Sequence, residues 1–316
     1  MQMNKYFKIL AIDGGGFRGV YSAHLLKRIE DEFTVDWRKD FDLLAGTSTG
    51  SIITACLALG KSAGEVLEMY AKHGADIFHR SFGPRMGIVT SKYSNSSLQN
   101  VLNNFFGNSK LGDIETPLIV PATDIGNGCV HVFKSSYHNE FFRDKDVRVA
   151  DAVLASCSAP AYFPPMLLSG KKKYLLADGG LWANSPSLVA AIDAKRRLDA
   201  KLEDLRILSI GTGMAKKFYS IKQFNRQGLF GWGLATRWRR GKFIEMLMNL
   251  QSENANNMLG LLIERDQILR LNFESDKKLP LDQPKDFDDL VTRADREFTH
   301  SSPKIKDFII GGVYND

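Results

Sequence analysis

The sequence predicts an α/β fold of three layers, with a mostly parallel central sheet and helices on both of its faces. Two observations predict this class. Short apolar runs of strand length alternate with segments that have helical spacing of apolar residues. The chain has 316 residues and is 44% hydrophobic, so it can bury a core large enough for such a sheet. Since the sequence contains no repeat and no convincing linker, we expect a single domain over residues 1–316.

The predicted elements alternate regularly as far as Gly213. Strands are predicted at 8–13, 41–46, 118–123, 130–133 and 207–210, together with a hairpin that turns near residues 169–170. Helices are predicted at 18–33, 51–59, 62–78, 94–106, 148–157 and 187–199. Beyond Gly213 we expect a basic and aromatic elaboration at about 214–242, a helix at 242–262, a strand at 267–273 and a C-terminal helical region.

Several absences and the cysteine pattern together predict a cytoplasmic protein with reduced thiols. The sequence begins without the basic and apolar segments of a secretory signal, and no apolar run approaches membrane-spanning length. Cys56, Cys129 and Cys157 are far apart and odd in number, which favours neither a disulfide framework nor a metal site. Cys56 and Cys157 fall in apolar helical stretches and are interpreted as packed thiols.

One segment supplies the positive charge of the chain. The net charge is +6, yet residues 205–244 contain nine Lys and Arg and no acidic residue, which leaves 33 basic and 36 acidic residues elsewhere. We therefore expect an anionic partner for this segment rather than for the whole surface. It could be a membrane-facing lid, a pocket for a small anionic activator or a solvated loop. Arg237, Arg239 and Arg240 are its candidate contact residues.

Ser48 is the candidate nucleophile. It lies at the centre of a G-x-S-x-G motif, Gly46–Gly50, between a strand-like and a helix-like segment. A sharp turn from strand to helix needs small residues on both sides of the serine, because the two backbones approach closely. The expected result is a hydroxyl exposed at the carboxyl edge of the sheet.

A candidate oxyanion hole follows the first strand. Gly14, Gly15 and Gly16 let backbone N–H groups turn towards one point, and the next helix adds its positive N-terminal dipole. Gly14, Gly16 and Gly19 also fit G-x-G-x-x-G, the dinucleotide fingerprint. That fingerprint needs an acidic residue at the end of the second strand, whereas Asp42 lies at its beginning. The oxyanion interpretation is therefore favoured.

The base is harder to assign. None of the six histidines lies in a late loop of the kind that completes a hydrolase triad, and His300 is the one C-terminal candidate, in what reads as a solvated loop. Asp178 ends an apolar strand and precedes two glycines, so it would face the same sheet edge as Ser48. It could act as a base if burial raised its pKa, or it could belong to an ordinary Asp-Gly turn.

Four blocks in this order resemble those of the patatin-like phospholipases: Gly14–Gly19, Gly46–Gly50, Ala155–Pro160 with Phe163–Pro165, and Asp178–Pro186. The resemblance covers about two thirds of the chain and implies the three-layer patatin-like fold. It implies a Ser–Asp dyad in which Ser48 is the nucleophile and Asp178 the base, with Gly14 to Gly16 as the oxyanion hole. Arg18 would steady that loop or meet a phosphate. The implied reaction is hydrolysis of phospholipid acyl esters, with no metal or organic cofactor.

The start of the chain and its compact length also resemble the phospholipase effectors of bacterial anti-phage signalling, which a cyclic dinucleotide activates. This resemblance implies as partners membrane phospholipids and a cyclic oligonucleotide with its synthase, but no DNA or RNA polymer. It implies a cytoplasmic protein in peripheral contact with the inner face of the membrane. Helix 242–262 is interpreted as a core or dimer helix, so a homo-oligomer is a further candidate interaction. A lipid acyl hydrolase without nucleotide control and a non-catalytic lipid-binding protein are the alternatives.

Overall fold

The computed structural model describes residues 6–78, 91–170, 172–215, 237–276 and 279–310, with only the backbone described at 237–242. The strands are β1 (Phe7–Ile12), β2 (Leu43–Gly46), β3 (Leu118–Asp124), β4 (Cys129–Lys134), β5 (Met166–Leu168), β6 (Tyr174–Asp178), β7 (Leu205–Ile210), β8 (Met214–Ala215), β9 (Ile268–Leu271) and β10 (Glu274–Ser275). The helices are α1 (Gly19–Phe33), α2 (Thr49–Ala58), α3 (Ala63–Ile77), α4 (Asn95–Phe106), α5 (Val149–Ser156), α6 (Gly180–Ala183), α7 (Ser187–Arg197), α8 (Arg237–Leu262) and α9 (Phe287–Ile310).

Eight of the ten described strands form one sheet in the order β5-β6-β3-β2-β1-β7-β9, with β4 also paired to β3, and β8 pairs with β10 in a separate two-stranded sheet. Strands β3, β2, β1, β7 and β9 are mutually parallel, whereas β4 and β6 run antiparallel to β3, and β5 runs antiparallel to β6. The predicted mostly parallel α/β sheet is thus confirmed. The antiparallel strands lie together at one side and form two hairpins, one of which turns where the sequence predicted.

Both faces of the parallel strands are buried, as alternation along each strand shows. Leu10 and Ile12 face a large cluster that also contains residues of α1 to α5, whereas Ile9 and Ala11 face a smaller cluster with residues of α7 and α8. Since successive side chains point to opposite faces, a strand covered twice must be apolar throughout. This explains why the sequence shows continuous apolar runs here rather than an alternating pattern.

The C-terminal helix α9 is long and strongly amphipathic. Leu290, Ala294, Phe298 and Ile305 recur on its buried face, which packs along α1. His300 lies exposed on this helix, so its placement in a loop was wrong. The segment is rich in polar residues and contains Pro303, so the helical spacing of its apolar residues was not recognised in the sequence. None of the described helices is both long and apolar enough to span a membrane.

A partly buried ion pair joins the end of β1 to β9, with the Arg270 side chain 24% exposed. Arg270 donates to Asp13 through both terminal nitrogens, at 3.0 and 2.6 Å, and the Asp13 side chain is only 4% exposed. Arg270 also donates to the Ser209 hydroxyl on β7 at 2.7 Å. The pair therefore fixes the first residue of the glycine-rich loop to an outer strand of the sheet.

We expect Arg270→Met to lower the free energy of unfolding by about 3–5 kcal/mol, because it leaves the Asp13 carboxylate buried and unpaired. The double variant Asp13→Asn, Arg270→Met should recover much of this loss. Urea denaturation followed by circular dichroism measures both. Lys72→Met, which breaks an exposed pair with Glu68 on α3, is the control and should cost less than about 1 kcal/mol. An Arg270→Met loss as small as that of the control would contradict the argument.

Candidate active site

Ser48 occupies a strained turn between β2 and α2. Its φ of 53° and ψ of −124° lie in a region that non-glycine residues rarely adopt. A Cβ atom at Gly46 would lie 2.2 Å from the carbonyl oxygen of Gly50, and one at Gly50 would lie 2.2 Å from that of Ile12. The glycines of the G-x-S-x-G motif are therefore required by contact between backbones. This is the geometry of a nucleophile elbow.

Hydrogen bonds from neighbouring elements hold the elbow in place. The backbone N–H of Ser48 donates to the Ser156 hydroxyl at 2.9 Å, and that hydroxyl donates to the carbonyl of Pro121 at 2.6 Å. The Thr47 hydroxyl donates to the carbonyl of Ala183 at 2.6 Å. Ser156 was not singled out as a functional residue from the sequence. Its only signal there is its place in the third block, Ala155–Pro160.

The glycine-rich loop lies directly beside the elbow. Ile12 and Gly46 are opposite each other in the pairing of β1 with β2, so both strands end at the same sheet edge. A Cβ atom at Gly14 would lie 3.2 Å from Cβ of Ser48. A Cβ atom at Gly15 would lie 2.1 Å from the Thr212 hydroxyl. The absence of side chains at these positions thus lets the loop approach both the elbow and the end of β7.

The three loop amides are not equivalent. The Gly14 N–H donates to the Asn184 carbonyl at 3.0 Å, so it is already occupied, unlike what the sequence predicted. Within the described residues, the N–H groups of Gly15 and Gly16 have no acceptor. Gly16 has a φ of 58°, and a Cβ atom there would lie 2.3 Å from the Leu281 carbonyl oxygen. Two backbone donors at the loop therefore remain available to a developing negative charge.

Arg18 is buried beneath this loop. Its Nε donates to the carbonyl of Gly15 at 3.2 Å and its Nη1 donates to the carbonyl of Leu279 at 3.3 Å. Burial lowers the pKa of the guanidinium, and the charge of Glu245 opposes that shift. Of the two roles predicted for Arg18, these contacts support steadying the loop. They leave the side chain, in a residue that is 6% exposed, little surface with which to meet a phosphate.

Asp178 ends β6 beside the elbow and is almost completely buried. Its Oδ1 accepts a hydrogen bond from the Gly180 N–H at 2.6 Å, and its Oδ2 has no partner among the described residues. Burial raises the pKa of Asp178 to about 7, although the Gly180 N–H and the Ser48 side chain act to lower it. A carboxylate with this pKa is a far better proton acceptor near neutral pH than an ordinary aspartate.

An apolar pocket leads away from Ser48 and Asp178. Its walls come mainly from α2, α3, α4 and the segment after α5, and include Ile52, Ile77, Phe78, Leu98 and Phe163. Cys157 also lines it, as a buried free thiol whose pKa burial raises. Cys56 is likewise a buried free thiol, so both predicted packed thiols are confirmed. Such a lining suits a hydrocarbon chain rather than a polar substituent.

The competing candidates do not reach this pocket. None of the described histidines lines it, and His24, for example, pairs with Asp295 on the outer layer at 3.0 Å. Asp42 accepts from the backbone N–H of Lys8 at 2.7 Å, at the start of β2 and away from the glycine loop. The acidic residue that a dinucleotide site would need is therefore missing from that position. Within the described residues, no group of three or more His, Cys, Asp or Glu could hold a metal ion.

Helix α8 covers the site in a way that the sequence did not predict. Met248 lines the pocket, and the Ser252 hydroxyl accepts a hydrogen bond from Nδ2 of Asn184 at 2.8 Å. Glu245 accepts one from the Tyr162 hydroxyl at 3.2 Å. The helix begins at Arg237, five residues before its predicted start, but the side chains of Arg237, Arg239 and Arg240 lie outside the described residues. So does most of the basic segment, at 216–236.

Comparison with known proteins gives a consistent result. The family profile described as patatin-like phospholipase matches residues 10–191. The chain is 32% identical to a cGAMP-activated phospholipase of Pseudomonas aeruginosa, over 95% of this chain and 86% of that protein. A cGAMP-activated phospholipase of Vibrio cholerae is 32% identical over 73% of this chain and 71% of its own length. A cUMP-AMP-activated phospholipase of Escherichia coli is 27% identical over 84% and 80%.

We expect Asp178→Asn to stabilise the fold at pH 8. The folded-state pKa of about 7 lies above the usual value of 3.8, so the folded protein disfavours the charged form. The loss of folding stability caused by ionised Asp178 is absent below about pH 4, grows between pH 4 and 7 and is complete above pH 7. Removing the charge should raise the free energy of unfolding at pH 8 by on the order of 3–4 kcal/mol, and by much less at pH 5.

Urea denaturation at pH 5 and pH 8 measures this difference. Asp146→Asn is the matched control, because its side chain is 77% exposed, and its substitution should change stability little at either pH. If Asp178→Asn lowered the free energy of unfolding at pH 8, the buried charge of Asp178 would not be destabilising the fold.

Proposed function

This chain belongs to the patatin-like phospholipase family, and we propose that it hydrolyses acyl esters of membrane phospholipids through Ser48 and Asp178 when a cyclic dinucleotide activates it. The observation that carries the dyad is the buried Asp178 carboxylate, whose Oδ2 has no partner in the part of the chain that the structure describes, beside a serine on a strained elbow. The apolar pocket at the same point would take the fatty-acyl chain.

The chemistry follows from these positions. Ser48 Oγ attacks the ester carbonyl carbon while Asp178 takes the hydroxyl proton, and the N–H groups of Gly15 and Gly16 bind the oxyanion that forms. Collapse of the tetrahedral intermediate breaks the ester bond, and Asp178 returns the proton to the departing alcohol. Water then attacks the acyl-enzyme, losing a proton to Asp178. The second collapse releases the fatty acid and returns the proton to Ser48.

Cyclic-dinucleotide control rests on the relatives. Two of them are named for activation by cGAMP and one for activation by cUMP-AMP, so the class of activator is shared and its bases differ. A cyclic dinucleotide carries two phosphates, and arginine is well suited to bind them. We assign Arg237, Arg239 and Arg240 as candidate contacts for this ligand, with anionic headgroups as the alternative. The proposed setting is anti-phage defence, with the protein in the cytoplasm at the inner face of the membrane. A synthase would supply the cyclic nucleotide, and the chain would also associate with further copies of itself.

We also propose that residues 1–316 form one domain. The family match ends at residue 191, but β7 pairs with β1, β9 pairs with β7, and α9 packs along α1. The later elements thus complete the sheet that carries the site, and a separate domain would have its own core.

Fatty-acid release from vesicles of phosphatidylglycerol and phosphatidylethanolamine tests the function. We expect the wild type to release fatty acid only with one member of a cyclic-dinucleotide panel that includes cGAMP and cUMP-AMP. Ser48→Ala should lower release to background, because the nucleophile is lost. Mass spectrometry of the products measures both. Release without any nucleotide would contradict the activation and leave a constitutive hydrolase, and vesicle binding without release would leave a lipid-binding protein.

Substituting Arg237, Arg239 and Arg240 with Gln in one variant distinguishes their two assignments. Loss of activation with unchanged vesicle binding identifies a nucleotide contact, and weaker vesicle binding identifies a headgroup contact. Activity and binding like those of the wild type would exclude both.

The rate should depend on pH through Asp178. Since the base must be ionised to accept the Ser48 proton, kcat/KM for a soluble ester such as p-nitrophenyl butyrate should fall about tenfold per pH unit below pH 7. The nucleotide-activated protein is assayed between pH 5 and 9, with Ser48→Ala as the background. A rate that stays level down to pH 5 would mean that Asp178 is not the group that takes the proton.

A further inference from the structure

We infer that the tips of the β3–β4 and β5–β6 hairpins form a docking face for an anionic membrane surface. This face consists of Ile125, Val130, Leu167, Leu175 and Lys173, and we call it the hairpin face. The inference rests on the proposed function, because it gives the phospholipid substrate a place to be presented. It concerns a surface outside the pocket and the basic segment.

The hairpins extend past the edge of the sheet that carries the site. Ala45 lies opposite Ile119, so the end of β2 at Gly46 is level with Val120. Strand β3 continues to Asp124, which is four residues or roughly 13 Å beyond that level. Asp178 pairs with Ala122, so the site lies at the inner end of β6 and the hairpin tip at its outer end. A flat surface approaching this edge would meet the hairpin tips before it reached the strand ends that carry the site.

The apolar members of the hairpin face share one side of the sheet. Leu167 lies opposite Leu175, and the Ile125 N–H donates to the Leu175 carbonyl at 2.9 Å. Val130 lies opposite Thr123, two residues before Ile125, and therefore points to the same side. These four side chains belong to residues that are 42% (Ile125), 57% (Val130), 56% (Leu167) and 40% (Leu175) exposed.

Their exposure has a structural cause. Val132, the next residue of β4 on that side, still packs against the cluster that contains α7. The hairpins continue beyond this helical layer, and nothing in the described residues covers them. A contiguous exposed apolar surface on a protein marks a place of contact with another phase or partner.

The charge of the hairpins favours a membrane as that partner. The segments at the tips, residues 125–133 and 166–177, contain three lysines and no acidic residue. The carboxylate next to them, Asp124, is buried and accepts hydrogen bonds from the N–H groups of Gly126 and Asn127. Lys172 and Lys173 are exposed at the tip of the β5–β6 hairpin. Lysines beside exposed aliphatic side chains are the usual composition of an interfacial surface, since the ammonium groups meet anionic headgroups while the aliphatic groups enter the boundary of the acyl region.

Vesicle co-sedimentation tests the inference. The protein carries Ser48→Ala to prevent hydrolysis, and the vesicles contain phosphatidylglycerol and phosphatidylethanolamine, with and without cGAMP or cUMP-AMP. Leu167→Asp with Leu175→Asp should weaken vesicle binding more than tenfold, because two charges replace aliphatic groups at the interface. Lys173→Glu should weaken binding by on the order of tenfold at low salt and by less in zwitterionic vesicles.

Two matched controls lie at the opposite edge of the sheet. Leu261, near the end of α8, is 89% exposed, yet it lies where the chain is about to enter β9 at its amino end. Lys201 is exposed just before β7 at the same edge. Leu261→Asp and Lys201→Glu should leave vesicle binding within about twofold of the wild type, because neither residue faces the membrane in this orientation.

A soluble ester keeps folding separate from docking. For this assay the hairpin variants keep Ser48, and the activating nucleotide is present. Their rate of p-nitrophenyl butyrate hydrolysis should stay within about twofold of the wild-type rate, while their rate of phospholipid hydrolysis in vesicles should fall as vesicle binding falls. Unchanged vesicle binding of hairpin variants that stay active on the soluble ester would overturn the inference. So would equal losses in the control variants, or a failure of the Ser48→Ala protein with unchanged hairpins to bind vesicles. Hairpin-dependent binding of the wild type without any fatty-acid release would support the docking face and reject the proposed function.

Discussion

The site depends on the close approach of two backbones at the carboxyl ends of β1 and β2. Gly50 lies against the carbonyl of Ile12, and Gly14 lies against the side chain of Ser48. Any side chain at these glycines would separate the elbow from the loop that presents the N–H groups of Gly15 and Gly16. The strained φ of Ser48 follows from the same constraint, since the chain must reverse from strand to helix within one residue. Parallel pairing supplies the rest, because it brings both strand ends to one edge.

Support for this arrangement comes from elements far away in the chain. The Gly14 carbonyl accepts a hydrogen bond from the Thr212 hydroxyl, and the Gly14 N–H donates one to the Asn184 carbonyl. The Phe17 N–H donates one to the Leu281 carbonyl. The residues expected to react therefore belong to the first 178 positions, whereas much of what fixes their geometry follows. This division explains why α8, which carries no recognisable motif, nevertheless contributes Met248 to the pocket.

Residues whose function is encoded in a contiguous pattern could be predicted from the sequence, and residues that act through distant contacts could not. Ser48 and Asp178 each follow a strand and precede glycines, so their place at the sheet edge was predictable, and the parallel sheet itself could be read from the apolar runs. The occupied amide of Gly14 could not be foreseen, since its acceptor Asn184 is 170 residues away. Nor could the support that Ser156 gives the elbow, because a buried serine in an apolar helix has no distinctive spacing.

The late position of Arg270 and Leu281 has a consequence for biosynthesis. A ribosome-bound chain that has exposed Ser48 and Asp178 still lacks the partner of Asp13 and the acceptor of the Phe17 N–H. The N–H groups of Gly15 and Gly16 cannot be fixed beside the serine until nearly the whole chain has emerged. Nascent and prematurely terminated chains therefore lack an assembled site.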